Sequence, residues 1–411
     1  MSTMASQRTI GVRLRRAVWG GMLALALVAG ARGQTPTPAA PVRLEADAHY
    51  TSALDDPRVQ TLGEEGLDLL YNMKLSEAAA VFDRIEALYP EHPIGPFLKG
   101  LVIWWKILPD LHNESHDDAF FDQMKVVIKR SDRLLKREKD NFDAMFFKGA
   151  ALGFRGRLLS NRGEWFKAAR DGKAAMDYVF RIAERDTSNA DFVFGMGVYD
   201  YFADMVPKKY PVVKPVMLFF PDGNRERGLR ELRRTAEEGR FIRTEAVYFL
   251  LQIHFLYEPD FRKSLEYARL LRAWHPDNPF FHALEARVYA QWGRWREAQR
   301  IYGEVLRRYR EGRPGYTDAI VAQALYYLGR GAMTSHRYEE ALEYLTELET
   351  ITARAQRDSF FKVLGRLRQG MVLDALGRRE EAVARYRQVL KMKDRADAHD
   401  RARKYLKTPY G

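Results

Sequence analysis

Gly293-Arg-Trp-Arg-Glu-Ala298-Gln-Arg-Ile-Tyr302 is the stretch that decides the fold. A small residue, Ala298, and an aromatic one, Tyr302, stand four apart and share one face of a helix. The arrangement returns along the chain. Phe261-Arg-Lys-Ser264-Leu-Glu-Tyr-Ala268 carries Ser264 one repeat ahead of Ala298. Arg337-Tyr338-Glu-Glu-Ala341-Leu-Glu-Tyr344 and Gly377-Arg-Arg-Glu-Glu-Ala382-Val-Ala-Arg-Tyr386 follow. Near the start, Ala78 and Phe82 repeat the pair after Leu62 and Gly66, and Pro90 ends the helix. The small residue is required where two helix backbones touch, and the large one fills the space a turn further on. A lone hairpin of this kind leaves its apolar side uncovered, so neighbouring hairpins must stack.

The step from Ser264 to Ala298 equals the period of the tetratricopeptide repeat, which this pattern resembles. In that register Ala286, Tyr289, Ala298 and Tyr302 mark one unit. Leu325, Gly329 and Ala341 mark the next, and Gly370, Leu373, Ala382 and Tyr386 the last. Pro276 ends the Ser264 unit. The spacing widens between Ala298 and Ala341 and again between Ala341 and Ala382, and the turn residues of 311–316 take up part of the first insertion. The resemblance implies an all-α fold: an α-solenoid of about eight tetratricopeptide-like helix pairs forming a right-handed superhelix. Residues 59–240 form a divergent helical region, 241–394 the regular repeats, and 395–411 a capping helix and tail. Within the divergent region, helical periodicity runs over 122–139, 142–154, 165–184, 191–203 and 224–238. Pro207, Pro211 and Pro215 are expected to interrupt helix between the last two. A polar helix over 391–406 is expected to cover the open end of the stack.

Residues 1–33 read as a signal peptide. Arg8, Arg13, Arg15 and Arg16 precede an apolar run from Ala17 to Gly30, and Ala31-Arg-Gly33 offers small residues before a cut at Gln34. The run is shorter than the roughly 20 residues a bilayer span needs; the alternative is an uncleaved N-terminal membrane anchor. A Pro-rich linker follows over 34–58. The expected location is exported, periplasmic or extracellular. The chain has no cysteine, which excludes disulfides and a lipidated cysteine.

Hydrophobic content of 46% with 30% charged residues argues for a folded chain. Positions 1–33 hold five Arg and no acid, so the formal charge of +12 falls by five to +7 without them. Positions 34–120 carry 6 basic and 15 acidic side chains (−9), and positions 351–411 carry 16 and 7 (+9). A basic end suits an anionic membrane surface as a second partner class. In an exported chain no nucleic acid is expected, and nothing in the sequence calls for a small-molecule substrate.

The segment Phe194-Gly195-Met-Gly197-Val-Tyr199, then Pro207, then Gly223-Asn224-Arg225-Glu226-Arg-Gly228-Leu229-Arg-Glu-Leu232 resembles a narrower signature. It is similar to the eukaryotic tetratricopeptide family that includes the mitochondrial outer-membrane inclusion-body clearance protein. That resemblance implies an all-helical scaffold in membrane or protein-quality-control work, with no catalytic residues to carry over. The residues have a packing explanation of their own. Gly195 and Gly197 let a neighbouring helix approach, Asn224 caps the next helix, and Arg227 and Arg230 take its solvated face.

Catalytic chemistry has no foothold. There is no cysteine and no Gly-x-Ser-x-Gly elbow. The metal reading centres on His112 and His116, which would share a face if helical, but Asn113 stands where the His-Glu-x-x-His motif needs Glu. The reading is a non-catalytic scaffold without cofactors. Binding falls to the inner face of the first helix of each pair, where Tyr199, Tyr257, Arg287, Gln291, Tyr326 and Arg330 are expected to receive a protein or peptide. Phe219-Phe220-Pro221 is a second candidate patch. Trp104 and Trp105 point about 100° apart on a helix and require cover on two sides.

Overall fold

The computed structural model describes residues 52–185, 188–211, 214, 220–355 and 357–411. The expected signal peptide and most of the Pro-rich linker lie outside them, as does Pro215. No strand occurs among the described residues. The chain is an all-α solenoid whose helices follow one another as hairpins, in two compact units divided between Asp260 and Phe261.

The unit ending at Asp260 holds α1 (Pro57–Tyr71), α2 (Leu75–Leu88), α3 (Ile94–Ile107), α4 (Asp117–Arg137), α5 (Phe142–Asn161), α6 (Trp165–Arg185), α7 (Ala190–Lys209), α8 (Arg225–Glu238) and α9 (Arg243–Gln252). The second unit holds α10 (Phe261–Trp274), α11 (Pro279–Gln291), α12 (Trp295–Arg310), α13 (Asp318–Thr334), α14 (Tyr338–Ala353), α15 (Phe360–Ala375), α16 (Arg379–Lys391) and α17 (Ala398–Lys407). Among the described residues four hairpins fall in the first unit and three in the second; α9 belongs to the first and α10 to the second. The division comes later than the expected border at 240/241. The turn before α9 is tied to the first unit by the Asp191 carboxylate, which accepts from the Arg240 and Ile242 amides at 3.0 and 2.9 Å.

One turn geometry recurs between the two helices of a hairpin. Met73, Gly163, Gly293, His336 and Gly377 all adopt positive φ, from 55° to 83°. The next amide in each case donates back to the carbonyl five residues earlier: Lys74 to Leu69, Glu164 to Leu159, Arg294 to Tyr289, Arg337 to Ala332 and Arg378 to Leu373. This is the Schellman closure, which satisfies carbonyls the helix end would otherwise leave unpaired.

The small-to-large pairs behave as the pattern predicts. A side chain at Gly66 would overlap the Phe82 ring, and one at Gly370 would overlap Tyr386. Ala78, Phe82, Ala298, Tyr302, Ala341, Ala382 and Tyr386 are buried. Trp104 packs edge-on to Phe154 at 5.4 Å and tilted against Phe120 at 5.6 Å. Trp105 meets Tyr71 at 5.7 Å, so α3 is covered on two sides.

Three local expectations are corrected. Pro207 lies inside α7, which runs on only to Lys209, because a proline near the C-terminus of a helix removes one bond while the following turn is already ending. The capping helix starts at Ala398 rather than at position 391, since α16 occupies Lys391. Arg227 is not simply solvated: it forms an ion pair with the fully buried Asp200. As expected, the Asn224 side chain caps α8, accepting from the Arg227 amide at 2.9 Å.

Candidate functional site

Within each unit the first, or A, helices of successive hairpins touch: in the first, α3 packs on α5 and α7 on α9. In the second unit α11 packs on α13, α13 on α15 and α15 on α17, with α12, α14 and α16 behind them.

The first unit fills its A-helix side with its own side chains. Tyr71 of α1 donates to Glu245 of α9, and Arg240 reaches back to Glu64 and to Gln60, the latter at 2.6 Å. Gly63 accommodates the Phe241 ring. The first helix is thus closed onto the segment that leads into α9. Inside, Arg157 of α5 stacks on the Trp104 ring at 4.9 Å. Burial pushes the Arg157 guanidinium down from its ordinary value, against the pull of Tyr248 and Glu245. Burial also raises Glu245 to about 7 and Asp191 to about 6, although the latter accepts from backbone amides. Tyr199 and Tyr257, expected to line an open groove, both pack against side chains of their own unit. Tyr199 is buried, stacks edge-on to Phe180 and donates to the Pro221 carbonyl at 2.5 Å. Tyr257 sits in a π-helical turn, Ile253–Tyr257, against Phe202 at 5.1 Å, with the Lys209 ammonium 5.0 Å above its ring. The π-helical turn breaks the 3.6-residue register from which the position of Tyr257 is read. Of the aromatic patch, Phe219 lies outside the described residues, and the Pro221 carbonyl is the acceptor for Tyr199.

The second unit brings the other four residues onto one side. Arg287 and Gln291 stand a turn apart on α11, Tyr326 and Arg330 a turn apart on α13. Gln291 Nε2 donates to Tyr327 Oη at 3.3 Å. Tyr327 stacks in parallel on Tyr302 at 5.2 Å, with 2° between the rings. Arg330 lies over Trp295, Tyr327 and Tyr326 at 5.1, 5.6 and 6.0 Å. Tyr326 is buried beneath its neighbours, between Phe361 at 5.4 Å and the guanidinium of Arg368 at 5.2 Å. Pattern reading misses Arg368 of α15 and Arg401 of α17. Their signal is present as A-helix arginines in the two A helices that follow α13. Burial pushes the Tyr326 phenol up, but Arg368, Arg330 and Arg401 outweigh it and hold it below its ordinary value.

His112 and His116 do not share a helix face. Positions 111–112 form a turn, His112 is exposed, and α4 begins only at Asp117. Asp117 is taken up by Arg162, with Nη2 to Oδ1 at 2.8 Å. Among the described residues no group of three or more His, Asp or Glu side chains is gathered to hold a metal ion.

Residues 283–357 match the family model of the tetratricopeptide repeat. These residues are thus tetratricopeptide repeats, and they stand within a longer succession of helical hairpins. No curated protein matches its sequence. Among solved structures it is similar to NprR in complex with its cognate peptide NprX, with 13% identity over 85% of this chain and 82% of that one and a TM-score of 0.36. Yeast Tom70 is 8% identical over 82% of this chain and 86% of its own, with a TM-score of 0.37. The tetratricopeptide domain of P58(IPK) is 17% identical over 85% and 88%, with a TM-score of 0.23. At these scores none of the likenesses carries a function across.

Proposed function

We propose that the chain is a non-catalytic scaffold that binds a protein or peptide on the A-helix side of residues 261–411. One observation carries the reading. In that unit Arg287, Gln291 and Arg330 stand together with Tyr326 and Tyr327 on α11 and α13, whereas the first unit covers the equivalent side with its own tyrosine, tryptophan and glutamate. Arginine and tyrosine are favoured anchors because each combines contact area with directed hydrogen bonds. We place the protein outside the cytoplasm on the strength of residues 1–33, and among the described residues no helix is long and apolar enough to cross a membrane.

The test is affinity capture of partners from an envelope extract of the source cell, followed by titration of the captured partner. Arg330→Ala combined with Arg287→Ala should weaken binding at least tenfold. Recovery of the same partners with unchanged affinity overturns the assignment.

A further inference from the structure

Most arginines around α15 and α16 have an acid to answer them. Arg366 and Arg385 share Glu349, and Arg379 pairs with Asp374. Arg330, Arg368 and Arg401 break the rule. Each comes from a different A helix (α13, α15 and α17), and none forms an ion pair among the described residues. They gather on one spot. Arg330 and Arg368 both lie over Tyr326, at 6.0 and 5.2 Å. Arg401 rests on the Met371 sulfur, with Nη2 to Sδ at 3.4 Å. The Nε of Arg368 is buried with no hydrogen-bond partner. All three are half-buried. Burial lowers Arg330 and Arg401 from their ordinary values, and the like charge of Arg368 adds to the effect on each.

Three guanidiniums held close together in partial burial repel one another, and their contacts with Tyr326 and Met371 supply no negative charge to offset that repulsion. We propose that Arg330, Arg368 and Arg401 form a receptor for a dianionic oxyanion of the phosphoryl class. A phosphoryl group brings about −1.5 to −2 charge and three acceptor oxygens. Guanidinium forks match such oxygens in a bidentate manner. A single carboxylate would leave two of the three charges unanswered. The aromatic floor of Tyr326, Tyr327 and Phe361 fixes the arginines from below, so little side-chain freedom is left to lose on binding. The inference builds on the binding side proposed above but does not need a protein partner, since inorganic phosphate and a phosphorylated side chain present the same group.

The experiment uses the full chain from Gln34 onward, with the expected signal peptide removed. Isothermal titration and thermal melting are run with inorganic phosphate, with acetate, and with a short peptide bearing phosphoserine or unmodified serine. Phosphate should bind saturably with millimolar or tighter affinity and raise the melting temperature, and acetate should not. Phosphoserine peptide binding tighter than phosphate assigns the group to a peptide; equal binding assigns it to the free anion; both support the receptor. Arg368→Gln and Arg401→Gln should each weaken phosphate binding at least tenfold, and a cooperative ligand-free melt shows that each variant is folded, since each removes repulsion together with a contact to Tyr326 or Met371. Arg403→Gln, on the exposed side of α17, should leave binding unchanged. Arg368→Lys keeps the charge and should retain part of the affinity if Arg368→Gln fails to fold. Absent or non-saturable phosphate binding overturns the proposal, as does equal binding by the Arg368→Gln and Arg401→Gln proteins. Failure here with a partner still captured through Arg330 and Arg287 leaves the scaffold reading standing. Phosphate binding without any captured partner does the reverse.

Discussion

The carbonyl oxygen of Gly197 lies so close to Gly228 that a methyl group placed on Gly228 would sit 2.7 Å from it and 2.5 Å from the backbone nitrogen of Tyr201. Helices α7 and α8 therefore pack backbone on backbone, which gives Gly197 and Gly228 a packing role. Backbone cannot swing aside as a side chain can. Gly228→Ala is expected to cost about 3 kcal/mol, at the upper end of overpacking effects. A urea midpoint within error of the parent's would contradict this packing.

Asp191 fastens the segment before α9 to α7 by accepting from the amides of Arg240, Phe241 and Ile242. Asp191→Ala leaves those buried donors unmet, and a loss of about 3 kcal/mol is expected. Asp191→Asn keeps one acceptor and should lose roughly half as much. Chemical denaturation of the two variants side by side decides the point.

Glu245 is raised by burial to about 7, from an ordinary value of 4.5. The folded chain thus holds this proton more tightly than the unfolded chain. Stability from this group is fully present below about pH 4.5 and is lost as pH rises through about 7. The loss across that range is roughly 3 kcal/mol. Glu245→Gln should flatten that part of the stability profile while keeping an acceptor for the Tyr71 hydroxyl. A Gln variant with the parent's slope between those pH values would mean that another group titrates there.

Gly377 adopts φ of 74°, and a Cβ added to it would have no heavy atom within 4 Å, so its role is conformational alone. Gly377→Ala should destabilise by about 1 kcal/mol. The equivalent turn in the preceding repeat already tolerates His336 at φ of 55°. His336→Gly is therefore expected to be neutral or slightly stabilising, which thermal melting of the two variants measures.

Much of the fold was legible in the sequence because the helix period makes it so. Ala298 with Tyr302, Ala78 with Phe82 and Ala382 with Tyr386 mark contacts between helices through pairs four positions apart, and these contacts are local. The candidate site was legible only in part. Arg287, Gln291, Tyr326 and Arg330 follow from helix register within one regular array. Tyr199 and Tyr257 did not, because one is buried with its hydroxyl on the Pro221 carbonyl and the other sits in a π-helical turn that breaks the register. Neither event has a periodic signature. Arg368 and Arg401 were visible as residues but not as a group, since nothing in a single helix indicates which charges on its neighbours will lack a partner.

The amino-acid order by itself determined that helices form, where they turn and which sides they bury, since backbone bonding and apolar spacing act over a few residues. Tertiary structure alone decided that α1 closes onto the Arg240–Glu245 segment in one unit, while in the other Arg330 of α13 and Arg368 of α15 meet over Tyr326 and Arg401 of α17 rests on Met371. Charge and hydrogen bonding between residues dozens of positions apart depend on how the helices are stacked, and that is set only when the whole unit packs.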